Sequence, residues 1–168
     1  MDNIITKKAE NNVKIFEKSS RMECDIEALF DFHLDLNNLK TITPKDTKVT
    51  LLEEMFTPKK GDILRLRSAK GFISTTWEVE IRELQRPNLL LDVALKSPFK
   101  LWKHSHIFRQ LEDGVCELTD RVEYELPFGI FGALFYPVTQ KELDKLFTYR
   151  HDVTRDILET KKKIAAAI

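Results

Sequence analysis

The sequence is poor in glycine, proline and cysteine, and neither sign of charge is in excess. Its 168 residues include only 5 Gly, 6 Pro and 2 Cys, and 27 basic side chains balance 27 acidic ones. Together with 42% hydrophobic residues, this composition excludes a disordered chain, a flexible linker and a fibrous repeat. The zero net charge also argues against non-specific binding to nucleic acid. A chain of this length predicts one soluble globular domain.

Long apolar runs and the motifs of common cofactor sites are missing as well. No apolar stretch reaches the length of a signal-peptide core or a membrane-spanning helix, so we expect a cytoplasmic protein without membrane insertion. The sequence has no GxGxxG, P-loop, HExxH, GxSxG or iron–sulfur pattern, so we predict no cofactor. Cys24 and Cys116 belong to no CxxC motif, which favours two reduced core thiols over a structural disulfide.

Short strands follow one another through the middle of the chain. Alternating apolar residues and turn signals predict six strands between residues 46 and 126, and their connections are too short for parallel crossovers. Before them, the pattern predicts a strand at 13–23 and two short helices capped by Asp25 and Asp35. A run of strands with segregated helices indicates an α+β domain, which we place at residues 13–168 after a polar tail at 1–12.

A long C-terminal helix is predicted over residues 139–164, because no glycine or proline interrupts that stretch. Thr139 and Glu142 fit a capping box at its start, and Pro137 marks the entry. One face repeats at three- and four-residue steps through Leu143, Leu146, Phe147, Arg150, Val153, Ile157, Lys161 and Ile164. This helix is the only predicted element large enough to cover one face of the sheet.

Four short stretches carry a family resemblance: FDFH at 30–33, WKHSHIF at 102–108, DRVEYELPFG at 120–129 and FTYR at 147–150. In this order they resemble the START-like (SRPBCC) superfamily, above all its bacterial ligand-binding members related to polyketide cyclases and dehydrases. The resemblance implies the helix-grip fold, in which a seven-stranded antiparallel sheet curves around the long C-terminal helix and two short helices follow the first strand. It also implies a cavity between sheet and helix for an apolar ligand.

The last two predicted strands each present large apolar side chains and a few polar groups on one face. A ligand cavity needs that mixture of hydrophobic walls and convergent polar groups. The candidate ligand-binding residues on the strands and the long helix are Trp77, Trp102, His104, His106, Phe108, Asp120, Tyr124, Phe147 and Arg150.

The roles of the polar candidates remain open at this level. His104 and His106 are either structural, with hydrogen bonds to a neighbour such as Asp120, or anchors for a ligand head group, or metal ligands completed by a carboxylate. A lone HxH motif is a weak metal signal, so we assign no metal site. General acid–base catalysis by these groups is a further interpretation. Arg150 either forms an ion pair with a protein carboxylate or presents a cation to an acidic ligand.

The predicted function is the binding of a small hydrophobic or amphipathic molecule between the sheet and the C-terminal helix. Two alternatives share the fold: an enzyme resembling polyketide cyclases and dehydrases, and a protein-interaction module resembling co-chaperones. We assign no catalytic residue and lean toward a protein that is not an enzyme. We expect a monomer or a weak homodimer, with a small molecule rather than nucleic acid as its partner.

Overall fold

The computed structural model describes residues 12–52, 57–127 and 129–167, so the predicted tail at 1–12 lies outside it except for its last residue. Within these ranges the order of elements is β1 (Lys14–Met22), α1 (Ile26–Leu34), α2 (Leu36–Thr41), β2 (Thr47–Leu51), β3 (Ile63–Lys70), β4 (Ile73–Gln85), β5 (Leu89–Lys96), β6 (Leu101–Glu112), β7 (Val115–Glu125), a 3-10 helix (Gly129–Phe135) and α3 (Tyr136–Ala166). The predicted α+β order is confirmed.

The described strands form one antiparallel sheet in the order β1-β7-β6-β5-β4-β3-β2. Six of them follow chain order across the sheet, and β1 returns to pair with β7 at the other end. The sheet curls, and the long helix α3 packs against its concave face. This is the expected helix-grip arrangement, with α1 and α2 at the side of β6 and β2.

Burial alternates along β7, which orients the strand pair that carries most candidate residues. Cys116, Leu118, Asp120, Val122 and Tyr124 are buried, and the residues between them are only partly buried. The inward side chains join two apolar clusters. One lies under α1 and includes Met22, Leu29, Phe30, Phe108, Leu118 and Leu158. The other lies under α3 and includes Phe16, Trp102, Val122, Tyr124, Leu143 and Phe147.

The start of α3 corrects the sequence-based prediction. The helix begins at Tyr136, three residues before the predicted capping box, and Pro137 lies within its first turn. Proline fits there because the first-turn N–H groups have no partner in the helix. Thr139 therefore cannot be the N-cap, and its hydroxyl instead donates a hydrogen bond to the carbonyl of Phe135 at 2.9 Å.

The buried stripe of α3 also differs from the predicted apolar face. It consists of Leu143, Phe147, His151, Thr154 and Leu158. Lys161 and Ile164, which the periodicity placed on the same face, are exposed in the structure. The last turns of the helix are thus exposed, and its buried face includes two polar residues in the middle.

The two cysteines are reduced and buried, as expected. Cys24 follows β1 and Cys116 lies near the start of β7, and their sulfur atoms are 3.3 Å apart. The thiol of Cys116 donates to the carbonyl oxygen of Cys24 at 3.0 Å. This contact satisfies one buried polar group at the junction of β1 and α1.

Replacing two candidate N-caps should separate a real cap from a wrong one. The Asp25 carboxylate accepts a hydrogen bond from the backbone N–H of Glu27 at 2.8 Å, so Asp25→Ala should cost about 1 kcal/mol of unfolding free energy. Thr139→Ala should cost less than about 0.5 kcal/mol, since Thr139 caps nothing. Urea denaturation of both variants checks this; equal losses would show that the helix start is misplaced.

Candidate functional site

A pocket of about 380 Å³ lies between the short helices, the concave face of the sheet and α3. Its volume is within the range of sites that hold small organic molecules. Most of its wall is apolar, with side chains contributed by the three α-helices and by strands β2 to β6. Representative members of this wall are Phe32, Leu64, Trp77, Ile81, Trp102 and Leu146.

Two sets of polar side chains interrupt the apolar wall. One set is buried or half-buried and comprises His33, Asp92, His104, His106 and Arg150. The other set is largely exposed and is held together by ion pairs of Lys70 with Asp46 and Glu142, and of Lys145 with Asp46. The exposed ion pairs contribute little stability individually. The buried set therefore contains the groups that a bound molecule would meet away from water.

Behind the pocket wall, three histidines surround the buried carboxylate of Asp120. Its Oδ1 accepts a hydrogen bond from Nε2 of His104 at 3.0 Å and lies 2.8 Å from Nδ1 of His106. Its Oδ2 accepts from Nε2 of His151 at 2.9 Å. Because a carboxylate can only accept, Nε2 of His104 and Nε2 of His151 carry the protons of these two hydrogen bonds, whereas Nδ1 of His106 is close to Asp120 without hydrogen-bond geometry. Nδ1 of His151 is then left to accept from the Ser20 hydroxyl at 2.8 Å.

Strand register explains why these groups meet. His106 on β6 is directly opposite Asp120 on β7, and His104 is directly opposite Asp92 on β5. Each carboxylate also reaches the other histidine diagonally, because side chains two residues apart on one strand share a face. Asp92 Oδ2 lies 3.3 Å from His106 Nε2 and 3.6 Å from His104 Nδ1. The two imidazoles are therefore held between two carboxylates.

In this cluster, neighbouring charges oppose the effect of burial on the pKa values of Asp120 and His106. Burial by itself would raise the pKa of Asp120, but the charge of His106 and the hydrogen bond from His104 hold that pKa well below its usual value. Burial would lower the pKa of His106, yet Asp120 and Asp92 raise it to about 9. His104 has the reverse outcome, because burial and then the charge of His106 lower its pKa. The cluster thus contains an ionised Asp120 beside a positively charged His106.

Arg150 enters the pocket wall from α3 without a counter-ion. Burial lowers the pKa of its guanidinium, and the more distant charges of Asp120 and Asp92 oppose that shift. Within the described part of the chain, its Nε has no hydrogen-bond partner and the side chain forms no ion pair. Its one close contact is with the Phe147 ring, whose centroid lies 5.4 Å from the guanidinium carbon. The ion-pair interpretation of Arg150 is therefore not observed in this structure.

The structure divides the nine predicted site residues into two groups. Those that line the pocket are Trp77, Trp102, His104, His106 and Arg150. Those that lie behind its wall are Phe108, Asp120, Tyr124 and Phe147, all nearly inaccessible to solvent. Phe108 packs edge-on against Phe30 in the cluster under α1, and Phe147 stacks on Phe16 in the cluster under α3. Shared strand parity located the correct face of the sheet but could not separate pocket wall from core.

Sequence reasoning did not select three residues of the site: His33, Asp92 and His151. Asp92 is the one acidic residue of β5, whose other charged residue is Lys96 at its end, and an acidic group within this apolar strand was a usable signal. His151 follows Leu143 and Phe147 at four-residue steps, so its spacing placed it on the buried stripe. His33 ends α1, where its Nδ1–H donates to the Leu29 carbonyl at 2.8 Å, and its ring centroid lies 5.4 Å from that of His106.

Comparison with solved structures shows the fold. A START superfamily protein from Mycobacterium smegmatis matches with a TM-score of 0.65 at 12% identity, over 87% of this chain and 97% of that one. The major latex-like protein 151 of Panax ginseng matches with a TM-score of 0.61 at 14% identity, over 89% and 97% of the two chains. The di-domain ARO/CYC StfQ of the steffimycin biosynthetic pathway matches with a TM-score of 0.67 at 10% identity, over 90% of this chain and 52% of the StfQ chain.

The chain thus has the START-like (SRPBCC) fold that the four sequence stretches indicated. No protein-family model matches the sequence, and no curated protein matches it either. None of the helices in the described ranges combines the length and apolar character that a membrane span requires. At identities of 10–14%, these matches show a shared architecture and not a shared activity.

Removing the Asp120 carboxylate should be the most damaging single change in the site. Asp120→Ala leaves three imidazoles without their buried acceptor, so we expect a loss of about 3–5 kcal/mol in unfolding free energy. Asp92→Ala is the matched control. Its carboxylate also faces two histidines, but the side chain is 14% exposed and water in the pocket can replace it. Chemical denaturation should rank the two losses; a smaller loss for Asp120→Ala would contradict this structure of the cluster.

His33→Gln should reduce the loss of stability in mild acid. Burial, followed by the charge of His106, lowers the pKa of His33 to about 3 from a usual value of 6.5. Below about pH 6.5 this residue is therefore protonated in the unfolded chain but stays neutral in the folded chain. The free energy of unfolding falls as pH decreases from 6.5 toward 3. Glutamine does not titrate. Urea unfolding at pH 7 and pH 5 should show a smaller difference in the variant; an unchanged difference would refute the neutral state of His33.

Proposed function

We propose that the pocket binds a small amphipathic molecule whose acidic end lies against Arg150. The apolar body of such a molecule would extend along the wall formed by the sheet and α3. The observation that supports this most strongly is the half-buried Arg150, whose Nε is shielded from solvent without a hydrogen-bond partner among the described residues, in a largely apolar pocket. The fold comparisons support the arrangement of sheet and long helix on either side of this pocket.

The acidic end follows from the chemistry of arginine. A guanidinium stays charged at any physiological pH and offers five N–H donors in a planar fork that fits a carboxylate. Leaving such a group buried and unpaired is costly. A carboxylate or another oxyanion on the ligand would supply the missing acceptor, and a charge-assisted hydrogen bond of this kind is stronger than a neutral one.

The apolar body follows from the rest of the wall. Tryptophan, phenylalanine and aliphatic side chains form most of the surface that a ligand would touch. Burial of about 200 Å² of ligand apolar surface would contribute about 5 kcal/mol before the costs of association. The sequence also allowed a protein-interaction module with a collapsed cavity, and an open pocket of about 380 Å³ favours a small molecule instead.

The test compares medium-chain carboxylic acids with the matching alcohols, which have the same chain but no charge. We expect the acids to raise the melting temperature of the protein more than the alcohols do, since ligand binding stabilises the folded state. Arg150→Met should remove this preference for acids while retaining the weaker effect of the alcohols. Calorimetric titration would then give the ratio of the two affinities.

Arg155→Met is the matched control on the same helix. Arg155 pairs with Asp152 and donates to the Arg21 carbonyl on the outer side of α3, so its loss should leave the preference for acids intact. If no acid in the panel changes the melting temperature, or if Arg150→Met and Arg155→Met behave alike, the proposal is wrong. Mass spectrometry of organic extracts from natively purified protein would supply the natural occupant.

A further inference from the structure

We propose that Asp92, His104 and His106 form a binding site for a divalent transition-metal ion on the wall of the pocket. Two imidazoles and one carboxylate are a common donor set for Zn²⁺ and for non-haem Fe²⁺. The HxH sequence alone supplied two of these donors and could not place a third. The structure places Asp92 of β5 beside both histidines of β6.

The donor atoms converge closely enough for one ion. Asp92 Oδ2 lies 3.3 Å from His106 Nε2 and 3.6 Å from His104 Nδ1, and all three donors lie within 4.8 Å of one another. Zn–N and Zn–O bonds of about 2.0–2.2 Å in a tetrahedral site separate neighbouring donors by about 3.3–3.5 Å. The observed spacing therefore needs only small side-chain rotations to bind an ion.

Asp120 orients the imidazoles in the way that metal-bound histidines are usually oriented. It lies 3.0 Å from His104 Nε2 and 2.8 Å from His106 Nδ1, behind the proposed donors. A carboxylate bound to the far nitrogen fixes the tautomer and the ring orientation of a metal ligand, and raises its basicity. Here the hydrogen bond from Nε2 of His104 directs its Nδ1 toward Asp92. His106 is in ion-pair contact with Asp120 through Nδ1, and its Nε2 also faces Asp92.

The site is open on one side, and an ion bound there would take the place of a proton on His106. All three proposed donor residues line the pocket, so a bound ion would keep a free coordination position facing that space. The negative charges of Asp92 and Asp120 balance the positive charges of His106 and Arg150 in the metal-free protein. Exchange of the His106 proton for a divalent ion would leave one net positive charge. The pocket would then attract an anionic group between the ion and Arg150.

The competing interpretation is that the carboxylates simply hold the two histidines in place without any metal. If the site binds an ion, loss of Asp92 should weaken metal binding, whereas loss of a pocket carboxylate away from the histidines should not. If there is no metal site, the two losses should have the same effect on metal binding. Asp46 lies among the exposed ion pairs of the pocket, away from the histidines, and His33 is a pocket histidine outside the donor set. Asp46→Asn and His33→Gln are therefore matched controls for Asp92→Asn and His106→Gln.

The experiment uses the full chain without a histidine tag, stripped with a chelator and titrated with Zn²⁺ and Co²⁺ in the absence of any organic ligand. We expect one Zn²⁺ per chain by elemental analysis and a visible Co²⁺ absorption band typical of low-coordinate N/O sites. Asp92→Asn and His106→Gln should each weaken binding by more than about tenfold, because loss of even an outer partner costs about 10–100-fold. Both control variants should bind as the parent does.

Three results would overturn the site: no retained Zn²⁺, equal binding by Asp92→Asn and Asp46→Asn, or equal binding by His106→Gln and His33→Gln. If His106→Gln does not fold, Asp92→Asn decides, since Asp92 lies at the pocket wall and its amide replacement has the same shape. Binding of carboxylic acids is measured on the chelator-stripped protein, so failure of the metal site and failure of the proposed ligand binding are separate outcomes.

Discussion

The buried carboxylate of Asp120 is the interaction on which the rest of the site depends. It lies on β7 and binds two imidazoles of β6 and one of α3, so it joins the sheet to the long helix through polar contacts. A charge in that position is tolerated only when its acceptors are fully used. The three histidines meet that requirement, and in return the carboxylate fixes the orientation of each ring.

The geometry of the pocket follows from this arrangement. His151 docks on Asp120 through α3, and the preceding residue, Arg150, then faces the pocket. On β6, the hydrogen bond to the same carboxylate directs Nδ1 of His104 toward Asp92, and Nε2 of His106 also faces Asp92. A polar cluster behind the wall thus determines which polar atoms the wall presents. The apolar residues around it supply volume and surface, and the cluster supplies directionality.

The sequence was sufficient for the fold because its signals were local and mutually consistent. Alternation along β7, short connections between strands and an uninterrupted C-terminal helix left few other topologies. The long-range contacts were harder. The approach of His104 and His106 to Asp120 could be anticipated from strand parity. Asp92 stood out as an acidic residue in a mostly apolar strand, but the sequence did not give the register that places it opposite His104.

The misplaced start of α3 and the missed His151 have related causes. Both come from reading a helix by its most typical residues, Thr139 as a cap and apolar side chains as the buried face. In the structure Pro137 lies in the first turn of the helix. The buried face includes His151 because its ring binds the Asp120 carboxylate of β7. Tertiary contacts decided both positions. That Arg150 has no counter-ion among the described residues is, similarly, visible only when the neighbouring elements are in place.

Long-range proton–nitrogen NMR of the imidazole rings tests the central role of Asp120 most directly, and the chain has only four histidines to assign. The structure predicts a proton on Nε2 of both His104 and His151, facing Asp120, and a proton on Nδ1 of His33, facing the Leu29 carbonyl. The measurement reports directly which ring nitrogen of each histidine carries a proton. A lone pair on Nε2 of His104 or His151 would contradict the proposed arrangement around Asp120.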